Sequence, residues 1–444
     1  MHKKSKISFK AINKLAIPAM ISGIAEPLIS ITDTAIVGNI LNHPTEALAA
    51  VGIAGSFISA LVWILAQTRS AISATISKYL GAKKLDQIGS LPAQIIGFNV
   101  ILSVAIYFVT LFFAKQIFQL YNADGLILSY AIDYFEIRAI GFPLTLFVFS
   151  VFGVFGGLQN TFWPMVISSI GALLNVVLDI ILVFGIDGFL EPMNIVGAAW
   201  ASVISQVVMA VLALILLLKK TPFSLKITLP LNSEIMPLLG LSLNLAIRAV
   251  ALNVALYLAN AYATKYGNNY IAAQTIAFQI WLFFAFFIDG YSNVGNIVSG
   301  KLLGERKFKK LWKLSIKVSK YGVMVAILLA SFCGLFYYKI GMLFSKDPMV
   351  LSAFYGIFWL VLIMQPINAV AFVFDGIFKG LSEAATLRNL LLFATFLGFI
   401  PVLLIGDYFN LKLHAVWIAF AVWMFLRASI LVVKFRKKYL HKIA

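Results

Sequence analysis

The sequence predicts an all-α polytopic membrane protein with about twelve transmembrane helices in two pseudo-symmetric six-helix lobes. Three observations lead to this prediction: the apolar composition, the length of the apolar runs and an internal repeat. Of the 444 residues, 61% are hydrophobic and only 12% are charged. A water-soluble domain of this size needs far more charged residues on its surface. The composition therefore places most of the chain in a lipid bilayer.

The apolar runs have the length of membrane spans. A helix of about 20 residues crosses the roughly 30 Å hydrocarbon core of a bilayer, and polar breaks separate about twelve runs of at least this length. Their predicted limits are 15–37, 47–70, 93–117, 132–156, 163–185, 196–218, 236–263, 270–298, 320–343, 350–378, 387–408 and 413–434.

Basic residues mark one side of the membrane. They cluster after the even-numbered spans, in the segments 78–84, 219–226, 301–320 and 434–438. Lys and Arg concentrate in cytoplasmic connections, so this pattern predicts that both termini are cytoplasmic. It also accounts for the formal net charge of +18 without a nucleic-acid partner, because no basic water-soluble domain remains to bind one.

An internal repeat divides the chain into two halves. The segment LAAVGIA at Leu48 aligns with IAAQTIA at Ile271, and KYLGAKK at Lys78 aligns with KLLGERK at Lys301, an offset of 223 residues in both cases. Pro143 and Pro366 also match at this offset. We therefore predict lobes at 1–222 and 236–444, joined by a cytoplasmic linker at 223–235. Lobes with an even number of spans share one orientation, and transporters built in this way bind substrate between them.

The first span carries two acidic residues. A carboxylate near the middle of a span costs about 2.5–3.5 kcal/mol on insertion scales, so its retention indicates a partner, water or a function. Asp33 lies towards the outer end of the span, and Glu26 lies two helical turns deeper on the same face. Pro18 and Pro27 lie in the same span, and a proline leaves a helical carbonyl without its amide donor. We expect either a fixed kink or a span that switches between straight and bent.

The fifth span offers partners for Asp33. Asn175 and Asp179 are four residues apart and share one helical face. If this face meets Asp33, two carboxylates and an amide converge in a medium of low dielectric constant, which favours binding of a proton. Clustered oxygen ligands also suit a hard cation such as Na⁺, and Ser202 in the sixth span could add a hydroxyl oxygen. Alternatively, Asp179 pairs with a nearby donor only to hold helices together.

The second half contains a different set of charged residues. Arg248 lies in the seventh span, Asp289 in the eighth and Asp375 in the tenth. An arginine in hydrocarbon requires a carboxylate partner, so we expect Arg248 to pair with Asp289 or Asp375. This polar site is either a static ion pair or part of the transport machinery.

The ordered motifs resemble the multidrug and toxic compound extrusion (MATE) transporters, and among them the DinF branch. The matching segments are LAIPAM at 15–20, DTAIVGN at 33–39, EALAAVGIA at 46–54, KYLGAKK at 78–84, GLQNTFWP at 157–164, NVVLDIILVFG at 175–185, GAAWAS at 197–202 and FDGIFKGLSEA at 374–384. Together with the repeat, they cover nearly the whole chain.

The resemblance implies two lobes around a central cleft and export of organic cations or drugs, driven by inward H⁺ or Na⁺. It places the cation-coupling site at Asp33, Asn175 and Asp179, with Ser202 in place of the family's Thr and Pro18 as the kink proline. Glu26 and Pro27 are not part of the pattern. Other branches use an acid in the seventh span, and its absence here favours coupling through the N-terminal lobe.

The expected protein is thus a secondary active antiporter rather than an enzyme, with no cofactor besides its coupling ion. The sequence lacks the H-E-x-x-H and G-x-S-x-G motifs of hydrolases. The alternative is a lipid-linked oligosaccharide flippase of the same superfamily, which needs Lys or Arg along its cleft. We expect a monomer in the inner membrane of a bacterium that acts on small, cationic organic substrates.

Overall fold

A computed structural model describes residues 8–40, 43–121, 123–186 and 188–440. Helices account for nearly all of these residues, and the only extended pairing among them is an isolated bridge between Ile186 and Leu190. The prediction of an all-α chain is confirmed.

Nine helices form the described part of the first half of the chain. They are α1 (Phe9–Val37), α2 (Pro44–Leu65), α3 (Gln67–Ala82), α4 (Leu91–Phe112), α5 (Ala114–Leu120), α6 (Gly125–Ala139), α7 (Gly141–Gly157), α8 (Phe162–Phe184) and α9 (Asn194–Lys220). A short 3₁₀ turn at Leu85–Ile88 precedes α4.

Nine further helices follow in the described part of the second half. They are α10 (Ile235–Tyr266), α11 (Asn268–Gly304), α12 (Phe308–Leu335), α13 (Tyr337–Phe344), α14 (Pro348–Ile363), α15 (Gln365–Gly380), α16 (Ala384–Phe393), α17 (Ile400–Tyr408) and α18 (Leu413–Phe435). A π-helical segment, Ala394–Phe399, joins α16 to α17, and a second one, Arg436–Leu440, follows α18.

The helix boundaries repeat at the offset found in the sequence. Moved by 223 residues, α5, α6 and α7 coincide with α13, α14 and α15 to within one residue. The left-handed backbone positions repeat as well, since Lys83 matches Arg306 and Gln159 matches Ser382. The two halves therefore share one helical scaffold, as the sequence repeat predicts.

The helices have the dimensions of membrane spans. Nine helical stretches in the described residues are long and apolar enough to cross a bilayer, and the number rises to eleven when two bent pairs are counted as single spans. Helix α1 has 29 residues and a length of about 43 Å. This length also suits a membrane span, and the chain is a multi-pass membrane protein.

Two predicted spans are broken rather than continuous. Helices α6 and α7 meet at 44° and α14 and α15 at 52°, within the predicted spans 132–156 and 350–378. The predicted span limits do not reveal these bends. Pro143 and Pro366 lie in the first turn of the second helix of each pair. Because proline has no amide hydrogen, neither can donate to the carbonyl four residues earlier, so the helix ends before it and restarts.

Contacts between residues group the chain into two compact units. The first-half unit contains residues 21–76 and 84–239, and the second-half unit contains the described residues up to Met20, the segment Ser77–Lys83 and the chain from Gly240 onward. The lobe boundaries at 1–222, 223–235 and 236–444 stay a prediction.

Within the second-half unit, the ends of α3 and α11 approach closely. Gly81 and Gly304 are related by the repeat offset. A Cβ atom on Gly81 would collide with the backbone carbonyl of Lys301, and one on Gly304 would collide with that of Lys78. Only glycine permits this approach, which explains the glycine in both KYLGAKK and KLLGERK.

The connection between α15 and α16 is held by Glu383. Thr386 donates a hydrogen bond to its carboxylate at 3.1 Å and Tyr439 donates one at 3.0 Å, while Lys438 forms an ion pair with it. Burial opposes ionisation of Glu383, but these donors outweigh burial and lower the pKa of the carboxyl below its usual value. The carboxylate thus holds Lys438 and Tyr439, which follow α18, against the α15–α16 connection.

Candidate functional site

Asp33 lies near the end of α1 and is buried, with 2% of its surface exposed. Two hydroxyl groups contact its Oδ2 atom: Tyr134 of α6 donates at 3.4 Å and Ser202 of α9 donates at 3.2 Å. Removing a carboxylate from water costs several kcal/mol unless other groups solvate it. The two hydroxyls supply part of that solvation.

Helix α8 brings Asn175 and Asp179 to the same place. One face of this helix is buried and includes Gly171, Asn175 and Asp179 at helical spacing. Gly171 lets α8 pack against Met209 of α9. Asn175 and Asp179 are both fully buried. The structure therefore assembles Asp33, Asn175, Asp179 and Ser202 into one buried cluster, which we call the acidic cluster.

The Asn175 amide bridges the two carboxylates. Its nitrogen is assigned to face them, because the opposite orientation would set the amide oxygen against carboxylate oxygens. In this orientation the nitrogen donates to Asp33 Oδ1 at 3.3 Å and to Asp179 Oδ2 at 3.2 Å, and the amide oxygen lies 3.2 Å from the Ser202 hydroxyl. The cluster is thus a hydrogen-bond network that joins the two carboxylates.

This network has fewer hydrogens than acceptors. The Ser202 hydroxyl has one hydrogen but two acceptors at 3.2 Å, Asp33 Oδ2 and the amide oxygen of Asn175. Asp179 Oδ1 is buried and has no hydrogen-bond partner. Asp33 and Asp179 are close enough to hydrogen-bond to each other when one of them is protonated. One added proton would fill the open position.

One positive charge acts on this region. Arg138 follows Tyr134 by one turn of α6, hydrogen-bonds with the Tyr134 side chain and interacts electrostatically with Asp179. It is half-buried. The positive charge of Arg138 attracts the Asp179 carboxylate and so offsets part of the repulsion that Asp179 experiences from Asp33.

The cluster fits a proton better than a metal ion as it is arranged here. The described residues contain no group of three or more His, Cys, Asp and Glu side chains that could hold a metal. Carboxylate and hydroxyl oxygens suit Na⁺, but the amide nitrogen of Asn175 points at the carboxylates and occupies the place of a cation. Binding of Na⁺ would require the Asn175 amide to turn over.

The second-half site contains more positive charge than the sequence suggested. Arg248 of α10 forms an ion pair with Asp375 of α15, one of the two expected pairings. Arg427 of α18 also contacts the Asp375 Oδ2 atom, at 3.2 Å. Asp289 of α11 is exposed and has no ion-pair contact with either arginine in the described residues. Asp375 thus has two fixed cationic partners.

Helix α1 also carries the predicted residues Pro18, Glu26 and Pro27. The helix continues through Pro18 and Pro27 without a break, so the proposed kink stays a prediction. The backbone of Glu26 belongs to α1, but its side chain lies outside the part of the chain that the structure describes.

Two contributors were missed from the sequence. Tyr134 stands in an ordinary amphipathic pattern, and nothing in its neighbourhood indicates a hydrogen bond to Asp33. Arg427 was visible as a cation in an apolar run, but the helical spacing along α18 does not show that it shares Asp375 with Arg248. Both contacts join residues that are far apart in the sequence.

Comparisons with known proteins agree with this architecture. The chain is 29% identical over 307 residues to Protein DETOXIFICATION 43 of Arabidopsis thaliana, an alignment that covers 68% of this chain and 56% of the plant protein. The chain thus spans little more than half the length of that relative. It is also 25% identical over 439 residues to DNA damage-inducible protein F of Escherichia coli, covering 97% of this chain and 93% of the relative.

Solved structures show the same fold. The structure described as "Crystal structure of MATE in the bent conformation" matches with a TM-score of 0.90 at 22% identity, over 98% of this chain and 96% of the other. The family model MatE matches residues 18–181 and 245–404, one segment in each half of the repeat. The chain therefore belongs to the MatE family of multidrug and toxic compound extrusion transporters, whose members are not enzymes.

Proposed function

We propose that the protein is a secondary active antiporter that exports small organic molecules, organic cations among them, in exchange for protons. The coupling proton binds between Asp33 and Asp179 in the acidic cluster. The observation that carries this proposal is the buried Asp179 Oδ1 atom without a hydrogen-bond partner, next to a second buried carboxylate. Relatives that are named as multidrug exporters support the proposed substrates. One of these relatives is the multidrug export protein MepA of Staphylococcus haemolyticus.

Coupling follows from a difference in stability between two states. Protonation adds the missing hydrogen bond to the acidic cluster and removes the repulsion between its carboxylates. The state of α1 that this arrangement favours differs from the state that binds substrate. A proton and a substrate that stabilise different conformations compete with each other without sharing a site. Release of the proton on the cytoplasmic side then completes the cycle.

Proline at position 27 gives α1 a means to respond. Its ring nitrogen cannot donate to the carbonyl of Gly23, and a Cβ atom added at Gly23 would meet nothing within 4 Å. The helix therefore has a missing hydrogen bond and open space at the same turn. We place the conformational change of α1 at this turn, which lies between Pro18 and Asp33.

Sodium is the alternative coupling ion. It would bind to the same carboxylates with the Asn175 amide turned over, so that an oxygen faces the ion. The setting is the plasma membrane of a bacterium, with both termini in the cytoplasm and a monomer as the working unit. Clustered Lys and Arg in the even-numbered connections support this orientation.

The flippase alternative has weaker support. A diphosphate headgroup requires unpaired cations. Arg138 already interacts with Tyr134 and Asp179, and Arg248 and Arg427 both contact Asp375.

The test is export of ethidium from reconstituted vesicles, with either a proton or a sodium gradient imposed. We expect the proton gradient alone to drive export, and Asp33→Asn to abolish it. The matched control is Asp86→Asn, which makes the same chemical change in an exposed acid of the 3₁₀ turn before α4. Export that needs neither gradient would refute antiport. Export that needs only the sodium gradient would show that Na⁺, and not the proton, is the coupling ion.

A further inference from the structure

A row of exposed lysines lies at the start of α12. Lys309, Lys313, Lys317 and Lys320 are exposed, and they recur at the three- and four-residue spacing that places side chains on one face of a helix. They extend over about 17 Å along the helix axis. We call these four residues the lysine stripe.

Local ion pairs do not neutralise this stripe. Helix α12 contains no Asp or Glu. The nearest acid along the chain, Glu305, already forms an ion pair with Lys307 at 2.6 Å. Among the residues that the structure describes, Lys309, Lys313 and Lys320 form no ion pair. The lysine stripe therefore presents positive charge to its surroundings.

The same face of α12 becomes apolar immediately beyond the stripe. Met324, Ile327 and Leu328 continue its helical spacing and are 47%, 47% and 67% exposed. The opposite face of α12 is buried, and a Cβ atom on Gly322 would lie 3.3 Å from the Val373 side chain of α15. Exposed apolar side chains on a membrane span contact the acyl chains of lipids. The lysine stripe thus lies where the lipid-facing surface of α12 begins.

The internal repeat provides a comparison for this surface. Helix α4 is the counterpart of α12, because their last residues, Phe112 and Leu335, are separated by the repeat offset of 223. Helix α4 contains no Lys or Arg. The two halves therefore share the helix, but the positive charge is specific to the second half. The residues that correspond to the lysine stripe are Asp86, Ser90, Gln94 and Gly97.

In the first-half unit, another segment of the chain covers the corresponding surface. The Gln94 side chain donates a hydrogen bond to the Thr228 carbonyl at 2.6 Å and accepts one from the backbone amide of Asn232 at 2.9 Å. The connection between α9 and α10 therefore lies beside the start of α4. The counterpart of Gln94 in α12 is Lys317, and the stripe to which it belongs is exposed. This surface is thus open to a molecule from outside the chain.

A molecule that contacts both parts of this face needs a negative charge and an apolar chain. We propose that the lysine stripe binds the headgroup of an anionic phospholipid, whose acyl chains lie along Met324 and Leu328. The phosphate accepts hydrogen bonds from the ammonium groups, and the long lysine side chains let these groups reach the headgroup layer. The cytoplasmic leaflet of a membrane carries anionic lipids, and the clustered basic residues predict that this end of α12 is cytoplasmic. The site does not depend on which molecule the protein transports.

The test measures lipid binding beside α12 by fluorescence quenching. The only cysteine, Cys333, is replaced by Ala, and a fluorescent label is attached at Met324→Cys in one protein and at Ile101→Cys in another. Met324 and Ile101 correspond to each other in the repeat, and both are exposed. Each protein is reconstituted in mixed vesicles of phosphatidylglycerol and phosphatidylcholine. One of the two lipids carries brominated acyl chains, which quench the label.

We expect the label at Met324 to select phosphatidylglycerol over phosphatidylcholine by about fivefold or more, because one lysine near an anionic lipid surface contributes about that factor. The label at Ile101 should show a preference below about twofold, since α4 has no Lys or Arg. Lys313→Gln combined with Lys320→Gln should lower the preference at Met324 to below about twofold. The control Lys346→Gln, in an exposed lysine before α14, should leave this preference unchanged.

Four results would overturn the proposal. The first is equal quenching by both lipids at Met324. The second is the same preference at Ile101, which would show only a general attraction of anionic lipid to a protein with a net charge of +18. The third is a preference at Met324 that survives the combined substitution of Lys313 and Lys320. The fourth is a label at Met324 that neither lipid quenches while both quench the label at Ile101, which would show that protein, such as a second copy of this chain, covers the face.

Discussion

The Tyr134→Phe substitution tests the hydrogen-bond network of the acidic cluster most selectively. It removes one hydroxyl and leaves the buried ring in place, so packing between α6 and its neighbours is conserved. The lost contacts are the hydrogen bond to Asp33 Oδ2 at 3.4 Å and the one with the Arg138 side chain. The bond to Asp33 favours the ionised carboxylate, so its removal should favour the proton-bound form of the cluster.

The size of the effect follows from the geometry. A hydrogen bond to a charged group contributes about 1.5–3 kcal/mol, and this one is longer than the usual hydroxyl distance of about 2.7 Å. We take roughly 1 kcal/mol, which corresponds to about fivefold in proton affinity. One pH unit corresponds to about 1.36 kcal/mol, so the pH midpoint of export should rise by about 0.7 unit.

The assay is the pH dependence of ethidium export from vesicles at a fixed proton gradient. Tyr130→Phe is the matched control, because Tyr130 lies one turn earlier on the same helix and is not fully buried. It should leave the midpoint unchanged. A midpoint that falls in Tyr134→Phe, or one that stays fixed while Asp33→Asn abolishes export, would refute the role assigned to this hydrogen bond.

Three other substitutions have defined outcomes. Pro27→Ala restores the missing amide donor in α1 and should slow turnover several-fold without weakening dye binding. Fluorescence anisotropy measures the binding, and dye export measures the rate. An unchanged export rate, or the same slowing in Pro18→Ala, would show that Pro27 has no specific role in the mechanism. Asp375→Asn leaves two buried arginines without their carboxylate and should lower the free energy of unfolding by about 3–5 kcal/mol, visible as a large fall in melting temperature; a shift within the error of the melt would contradict the buried ion pair. Glu383→Gln removes the partner of Lys438 and should lower the melting temperature at neutral pH. The difference in melting temperature between the variant and the wild type should vanish as acid protonates Glu383 in the native protein, below its usual pKa of about 4.5. A difference that persists at pH 3 would show that the charge is not responsible.

The sign of the last effect follows from linkage. The pKa of Glu383 is lower in the folded protein than in the unfolded chain. Such a carboxylate contributes stability that is present above the unfolded pKa and is lost as the pH falls through the folded value. The Lys438 side chain is 53% exposed and that of Glu383 15% exposed, so screening at Lys438 keeps the contribution modest.

The convergence of the acidic cluster could be predicted from the sequence because its members stand out there. Asp33 and Asp179 are carboxylates in apolar runs, and Asn175 shares a helical face with Asp179 because four residues separate them. Periodicity and the cost of burying charge made contact with Asp33 one of two alternatives, and the family resemblance placed these residues in one site. The orientation of the Asn175 amide was not predictable, because it depends on which neighbouring atoms carry hydrogen.

Other features could not be predicted from local patterns. A tyrosine in an amphipathic helix has the same pattern whether or not its hydroxyl reaches a carboxylate, so Tyr134 was missed. The pairing of Arg427 depends on how α15 and α18 pack, which helical spacing does not specify. Pro143 and Pro366 were used only to establish the repeat. The breaks before them depend on whether neighbouring groups stabilise a kink or a full interruption.

The most direct test of the account is the number of protons released when substrate binds. Ethidium binding to the purified protein is followed by calorimetry at neutral pH, in buffers with different ionisation enthalpies and with constant sodium. The account predicts release of about one proton per bound dye in the wild type and none in Asp179→Asn. The same release in wild type and Asp179→Asn, or dye binding that responds to sodium and not to pH, would contradict a proton site between Asp33 and Asp179.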